Sequence, residues 1–172
     1  MNLVLVGYRG TGKSVVSRLL GNFLGREVVS LDKEIVRAAG CPIPEIVKAH
    51  GWDHFRDLEE ALCRSLGARD GLVLDCGGGV VEREANLTSL RQNGRVYWLK
   101  AAPSTIVARI GGDTERPSLT GARSFTDEVQ EVLARRTPLY RRLAHAEVAT
   151  DGRSLAEIAS EIEREFLTPA RR

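Results

Sequence analysis

The sequence predicts an α/β fold with three layers, α/β/α, in which a five-stranded parallel sheet lies between two layers of helices. Two observations predict it. Short apolar segments alternate with longer amphipathic ones along the chain, the order that builds parallel strands joined by crossover helices. The first apolar segment, NLVLV at 2–6, is an unbroken apolar run rather than an alternating one, as expected of a strand covered on both faces.

The elements follow in order. A helix is expected at 14–24, with Val15, Val16, Leu19, Leu20 and Phe23 on one face. Gly25 stands behind it, where a helix end favours a residue tolerant of positive φ. EVVSL (27–31) is the second strand, followed by a short helix at 32–39 that Gly40 stops. A weaker helix at 44–50 is closed by Gly51. Asp53 is placed to cap a longer one to about residue 66, with Phe55, Leu58, Leu62 and Leu66 on its apolar face. LVLDC (72–76) and RVYWL (95–99) are the third and fourth strands, with a helical stretch at 83–93 between them and another near 104–110 after them. A helix at 126–142, expected to kink at Pro138, leads to the fifth strand, AEVAT (146–150), and a closing amphipathic helix at 154–166. The polar segment GGDTERPSLTGARS (111–124) is the one long irregular piece and reads as a lid or binding loop, with Gly111, Gly112 and Gly121 as hinges. No repeat, low-complexity tract or linker divides the chain, so residues 1–172 are read as a single domain.

Composition narrows the function. Lys+Arg number 25 against 23 Asp+Glu, a net charge of +2, which argues against a dedicated nucleic-acid binder. Only Lys13, Lys33, Lys48 and Lys100 are lysines; the remaining basic residues are arginines, suited to bidentate capture of phosphate and carboxylate. Cys41, Cys63 and Cys76 show no zinc spacing and are expected reduced and structural. No stretch reaches the roughly 18 apolar residues of a membrane span. The first strand starts at residue 2 or 3 and leaves no room for a signal peptide, so a cytoplasmic protein with no membrane partner is expected. Nothing reads as a self-complementary patch, and a monomer is expected.

The turn between the first strand and helix, GYRGTGKS at 7–14, matches the P-loop pattern G-x4-G-K-[ST] through Gly7, Gly12, Lys13 and Ser14. Glycines let successive backbone N–H groups surround an anion, and the following helix aims its positive dipole end at it. Lys13 adds a full charge for the β- and γ-phosphates, and the Ser14 hydroxyl is the expected Mg²⁺ ligand. The nucleotide side is therefore expected to comprise Gly10, Thr11, Gly12, Lys13, Ser14 and Val15 in a P-loop NTPase fold of the nucleoside monophosphate kinase-like kind. No N-K-x-D stretch signals guanine, and the chain is too short for most motor ATPases, which leaves small-molecule kinases.

Four further pieces bear on the acceptor. Asp32 ends the second strand, at the sheet edge where such folds bind ligands, and a carboxylate there can orient a hydroxyl or accept its proton. FRDLE places Arg56 and Glu59 three residues apart on one helix face, so that Glu59 can hold the guanidinium for an anionic substrate. CGGGV (76–80) permits close backbone approach to a ligand at Gly77, Gly78 and Gly79. TERP puts Arg116 in the lid segment, and PLYRR puts Arg141 near the end of the next helix.

Taken together, GYRGTGKS, LD at 31–32, FRDLE at 55–59, GGG at 77–79, RP at 116–117 and PLYR at 138–141 resemble the shikimate kinase family, in family order across nearly the whole chain. The resemblance implies transfer of the ATP γ-phosphoryl group to the 3-hydroxyl of shikimate, on the route to aromatic amino acids. It implies that Asp32 contacts the ring hydroxyls and assists loss of the attacking proton. Arg56 and Arg141 would clamp the shikimate carboxylate, the glycine run would line the ring, and residues about 32–60 would form the substrate-binding region. Arg116 would reach the phosphates from the lid, and Arg109 and Arg153 would lie beside the adenine.

The chain departs from that family at three places. Ser30 stands where many members carry an aspartate that helps hold Mg²⁺ through water, while the third strand ends in Asp75, where a small or hydroxyl residue is expected. Asp75 is the expected substitute in that outer role. Val47 replaces an expected aromatic, with Trp52 or Phe55 available to fill the space. His50, His54 and His145 fall in no motif. Two other readings stay open: another small-metabolite or nucleoside monophosphate kinase, which would not need a carboxylate clamp, and a non-catalytic nucleotide-binding regulator, which would not need Asp32.

Overall fold

Every residue of β1 (Asn2–Val6) is buried, because β1 is the middle strand of the sheet. In a computed structural model of the chain, which describes residues 1–110 and 125–168, five parallel strands lie in the order β2-β3-β1-β4-β5. The others are β2 (Val28–Ser30), β3 (Val73–Asp75), β4 (Gly94–Lys100) and β5 (Ala146–Ala149). The expected sheet is the one found, with strand ends displaced by a residue or two.

Successive side chains of a strand point to opposite faces, and this divides the core in two. Leu3, Leu5, Val73, Tyr97 and Leu99 pack under α1 (Lys13–Leu24) and α7 (Leu155–Leu167), with Val16, Leu20, Ile158 and Ile162. Val4, Val6, Leu74, Val96 and Trp98 face the other layer, which includes α3 (Ile43–Gly67), α4 (Glu84–Gln92) and α6 (Phe125–Leu143). Burying each such large side chain stabilises the fold by about 1.5–3 kcal/mol. On that second face Trp98 stacks on Tyr140 of α6, ring centroids 5.5 Å apart.

Local departures from expectation have physical causes. Helix α1 buries Val16, Ser17, Leu20 and Gly21, whereas Val15 and Phe23 are exposed. The buried stripe includes Gly21, where a Cβ would come within 2.2 Å of the Val28 side chain, so α1 approaches β2 through a glycine. The two helices expected on either side of Gly51 form one element, α3, broken by Gly51 at φ 83, ψ 170, a conformation that only glycine adopts readily. Helix α6 continues through Pro138 without ending, held by buried Val132 and Arg136 before it and Tyr140 and Leu143 after it. Cys63 and Cys76 are buried, Cys41 is partly so, and all three are free thiols.

The remaining helices are α2 (Leu31–Ala39) and α5 (Pro103–Ile110). The carboxyl ends of β1, β2 and β3 come level with one another: Leu5 and Ser30 both pair in register with Asp75. The loop after β1, the first turn of α2 and the glycine run after β3 therefore meet at one edge of the sheet. Among the described residues no helix is long and apolar enough to cross a membrane.

Candidate active site

The loop after β1 is held open by its own backbone and by two side chains. Gly7, Gly10 and Gly12 have φ of 144°, 78° and 90°. A Cβ at Gly7 would stand 2.3 Å from the Leu99 carbonyl oxygen, so that position takes nothing larger than glycine. The buried Thr11 hydroxyl and Lys13 Nζ both donate to the Tyr8 carbonyl, at 2.8 and 2.9 Å. Lys13 thus crosses the loop with its charge at a cavity lined by Gly10, Gly12, Ser14, Val15, Asp32 and Asp75. Arg109 donates to the Gly10 carbonyl at 3.0 Å and to Thr150, and Arg153 donates to the Ala149 carbonyl at 3.2 Å while pairing with Glu161. Both arginines therefore reach the carboxyl end of β5, and Arg109 ties it to the phosphate loop.

A second cavity opens on the other side of Asp32. Arg9, Asp32, Gly77 and Gly78 line both cavities. Its far wall is Arg56, Glu59, Gly79 and Arg136, and Trp52 and Phe55 form an aromatic side, edge to face at 5.8 Å. Arg56 Nη1 donates to Glu59 Oε2 at 2.7 Å, and its guanidinium lies 5.6 and 5.3 Å from the Trp52 and Phe55 ring centres. Glu59 is fully buried; burial, reinforced by Asp32 and opposed by Arg56, pushes its carboxyl up to about 7. Val47 packs with Trp52, Phe55 and Ile46, so the expected aromatic cover comes from residues five and eight positions further on.

The glycine run has a steric cause. A Cβ at Gly77 would fall 2.8 Å from Asp32 Oδ1, and one at Gly79 would fall 2.0 Å from Arg56 Nη2. At Gly78 it would be 3.5 Å from Arg136 Nη1, and the Tyr140 hydroxyl donates to the Gly78 carbonyl. The functional side chains lie flat on a strip of bare backbone.

One expected clamp residue is misplaced. Arg141 is exposed, bonds Glu147 at 3.0 Å, and lies beside Trp98 and Lys100 in a different groove. Arg136, five residues earlier, supplies the second guanidinium of the acceptor cavity; it is 3 % exposed. The signal was present in the sequence: Val129, Val132, Arg136, Tyr140 and Leu143 share the buried face of α6. Arg116 and the rest of 111–124 lie outside the described residues. Tyr8 and Arg9 also line the acceptor cavity, beyond the acceptor-side residues the sequence points to.

Asp75 does not point into the core. It faces the phosphate cavity, which Lys13 and Ser14 also line. Burial raises its carboxyl above the ordinary value, against the pull of Lys13 and Ser14. Ser30 sits directly across the sheet in register with it. The oxygen donors Ser14 and Asp75 fit a hard dication. Among the described residues no cluster of three or more acidic, His or Cys side chains would hold a metal alone; Mg²⁺ usually takes nucleotide phosphates among its ligands.

A phosphate-binding loop, an acidic residue shared between two cavities and a pocket with two buried guanidinium groups define a P-loop small-molecule kinase. The family model described as shikimate kinase matches residues 9–166. A shikimate kinase of Dehalococcoides mccartyi is 38 % identical over 162 residues, covering 94 % of this chain and 91 % of that one. One from Pseudomonas fluorescens is 43 % identical over 152 residues, 88 % of each chain. The solved shikimate kinase from Acinetobacter baumannii in complex with shikimate superposes with a TM-score of 0.91 at 34 % identity, over 96 % of this chain and 92 % of that one. The chain belongs to the shikimate kinase family.

Proposed function

We propose that this chain moves the γ-phosphoryl group of ATP to the 3-hydroxyl of shikimate, with the nucleotide phosphates in the loop cavity and the acceptor in the cavity of Arg56 and Arg136. The observation that carries the reading is that Asp32 borders both cavities. An acceptor carboxylate held by the two guanidinium groups would orient its ring, and bidentate pairing gives direction as well as affinity. Asp32 is then the group available to take the proton of the attacking hydroxyl. Lys13 and the loop amides stabilise charge on the transferred oxygens; such transfers depend on position and charge more than on covalent chemistry. Arg116 is assigned to the phosphates and Arg109 and Arg153 to the adenine side, on the family resemblance.

Ser14, with the nucleotide phosphates, would hold Mg²⁺, which would supply charge neutralisation. We assign to Asp75 the outer support that Ser30 cannot give. The protein is assigned to the cytoplasm and acts as a monomer in this reading. Coupled ADP release over a panel of acceptors, with and without Mg²⁺, tests it: turnover with shikimate is expected, and turnover with gluconate or a nucleotide but not shikimate overturns it.

A further inference from the structure

Glu82 ends a single 3-10 turn (Val80–Glu82) directly behind the glycine run. It does not line the acceptor cavity, yet its carboxylate contacts both guanidinium groups that do. Oε2 lies 3.2 Å from Arg56 Nη2, and Oε1 accepts from Arg136 Nε at 2.9 Å. Arg135, on the solvent side, donates to the same Oε1 at 2.7 Å. Arg56 belongs to α3 and Arg136 to α6, so one carboxylate on a turn that packs against both helices joins the two halves of the pocket.

Two buried like charges repel, and each would turn towards solvent or towards the nearest anion. Arg56 is held on its other edge by Glu59, which fixes it along α3. Glu82 is the group that fixes it relative to Arg136. Each Nη of a guanidinium carries two N–H groups, so bonds made behind the wall leave donors facing the cavity. Burial pushes the Glu82 carboxyl up, but Arg136, Arg56 and Arg135 together hold it below its ordinary value, consistent with a permanent anion.

We propose that Glu82 is a positioning residue for the acceptor carboxylate: a fixed anion behind the pocket wall that sets Arg56 and Arg136 side by side before the acceptor arrives. This rests on the reading of that pocket as the shikimate site. The rival role, a resident carboxylate that occupies the acceptor's seat, conflicts with its absence from the cavity lining and its anchoring by Arg135 from outside.

The test is steady-state kinetics of E82Q and E82A, with shikimate varied at saturating ATP and then the reverse, beside calorimetric shikimate binding. E82Q is isosteric and its side chain is 23 % exposed in the parent, so it keeps the fold. The expected result is a KM and Kd for shikimate raised roughly tenfold, the size of one charged hydrogen bond, with KM for ATP unchanged and kcat affected less than KM. A shikimate KM that falls or stays level, or an ATP KM that rises in step, overturns the proposal. Failure of the wild-type chain to turn over shikimate overturns the underlying reading instead.

Discussion

Arg136→Ala beside Arg141→Ala separates two assignments of the acceptor clamp. Arg136 is almost wholly buried against the acceptor cavity, while Arg141 has 63 % of its side chain exposed and pairs with Glu147. Removing one charged partner of a desolvated carboxylate costs about 2–4 kcal/mol. At 1.4 kcal/mol per factor of ten, kcat/KM for shikimate should fall about 30- to 1000-fold. The fold should survive, because Glu82 keeps Arg56 and Arg135 as partners. An exposed ion pair contributes about 0–1 kcal/mol, so Arg141→Ala should leave acceptor kinetics unchanged. Arg136→Lys keeps the charge and loses the planar fork, and should fall between the two. The assay is coupled ADP release at saturating ATP with shikimate varied. Loss of acceptor affinity in Arg141→Ala, with Arg136→Ala unaffected, would refute the assignment.

Two further expectations concern the carboxylates. Glu59 has a folded value of about 7 against an ordinary 4.5, so the native chain holds more protons than the unfolded one between those limits. Its contribution is present below 4.5 and lost as pH rises through 7, in all roughly 3 kcal/mol. Urea unfolding across that range should show a shallower fall in stability for Glu59→Gln than for the parent; equal slopes would remove Glu59 from the account. Asp75→Asn should raise the Mg²⁺ concentration for half-maximal turnover about tenfold and weaken Mn²⁺ binding to the ADP complex by calorimetry, leaving the shikimate KM alone. Ser30→Asp in that background should restore both, and an unchanged metal dependence would discard the role.

Much of this was legible in the sequence because it is local. Strand β1 announces itself by an unbroken apolar run, and the phosphate loop by spacing that only a turn of bare backbone tolerates. The Arg56–Glu59 pair follows from three-residue spacing on one helix face. The string PLYR points to Arg141, whereas helical phase separates it from the cavity: five residues at 100° each set it about 140° around α6 from Arg136. The burial of Val129, Val132 and Tyr140 decides which of the two faces inward. Exposure of Val15 and Phe23 was not legible, since it depends on where Gly21 lets α1 settle on β2. Nor was Glu82, whose partners lie 26 and 54 positions away and meet it only once α3 and α6 are packed.

The pairing of Ser30 with Asp75 across β2 and β3 has a consequence for how such enzymes diverge. Neighbouring strands are about 4.8 Å apart, so an acid relocated sideways by one strand stays at the same height above the sheet, facing the same mouth. Position-by-position comparison would score such a relocation as one lost residue and one unrelated gain. Within the folded protein it is a single short translation, and the rim of a parallel sheet offers several interchangeable seats for one negative charge.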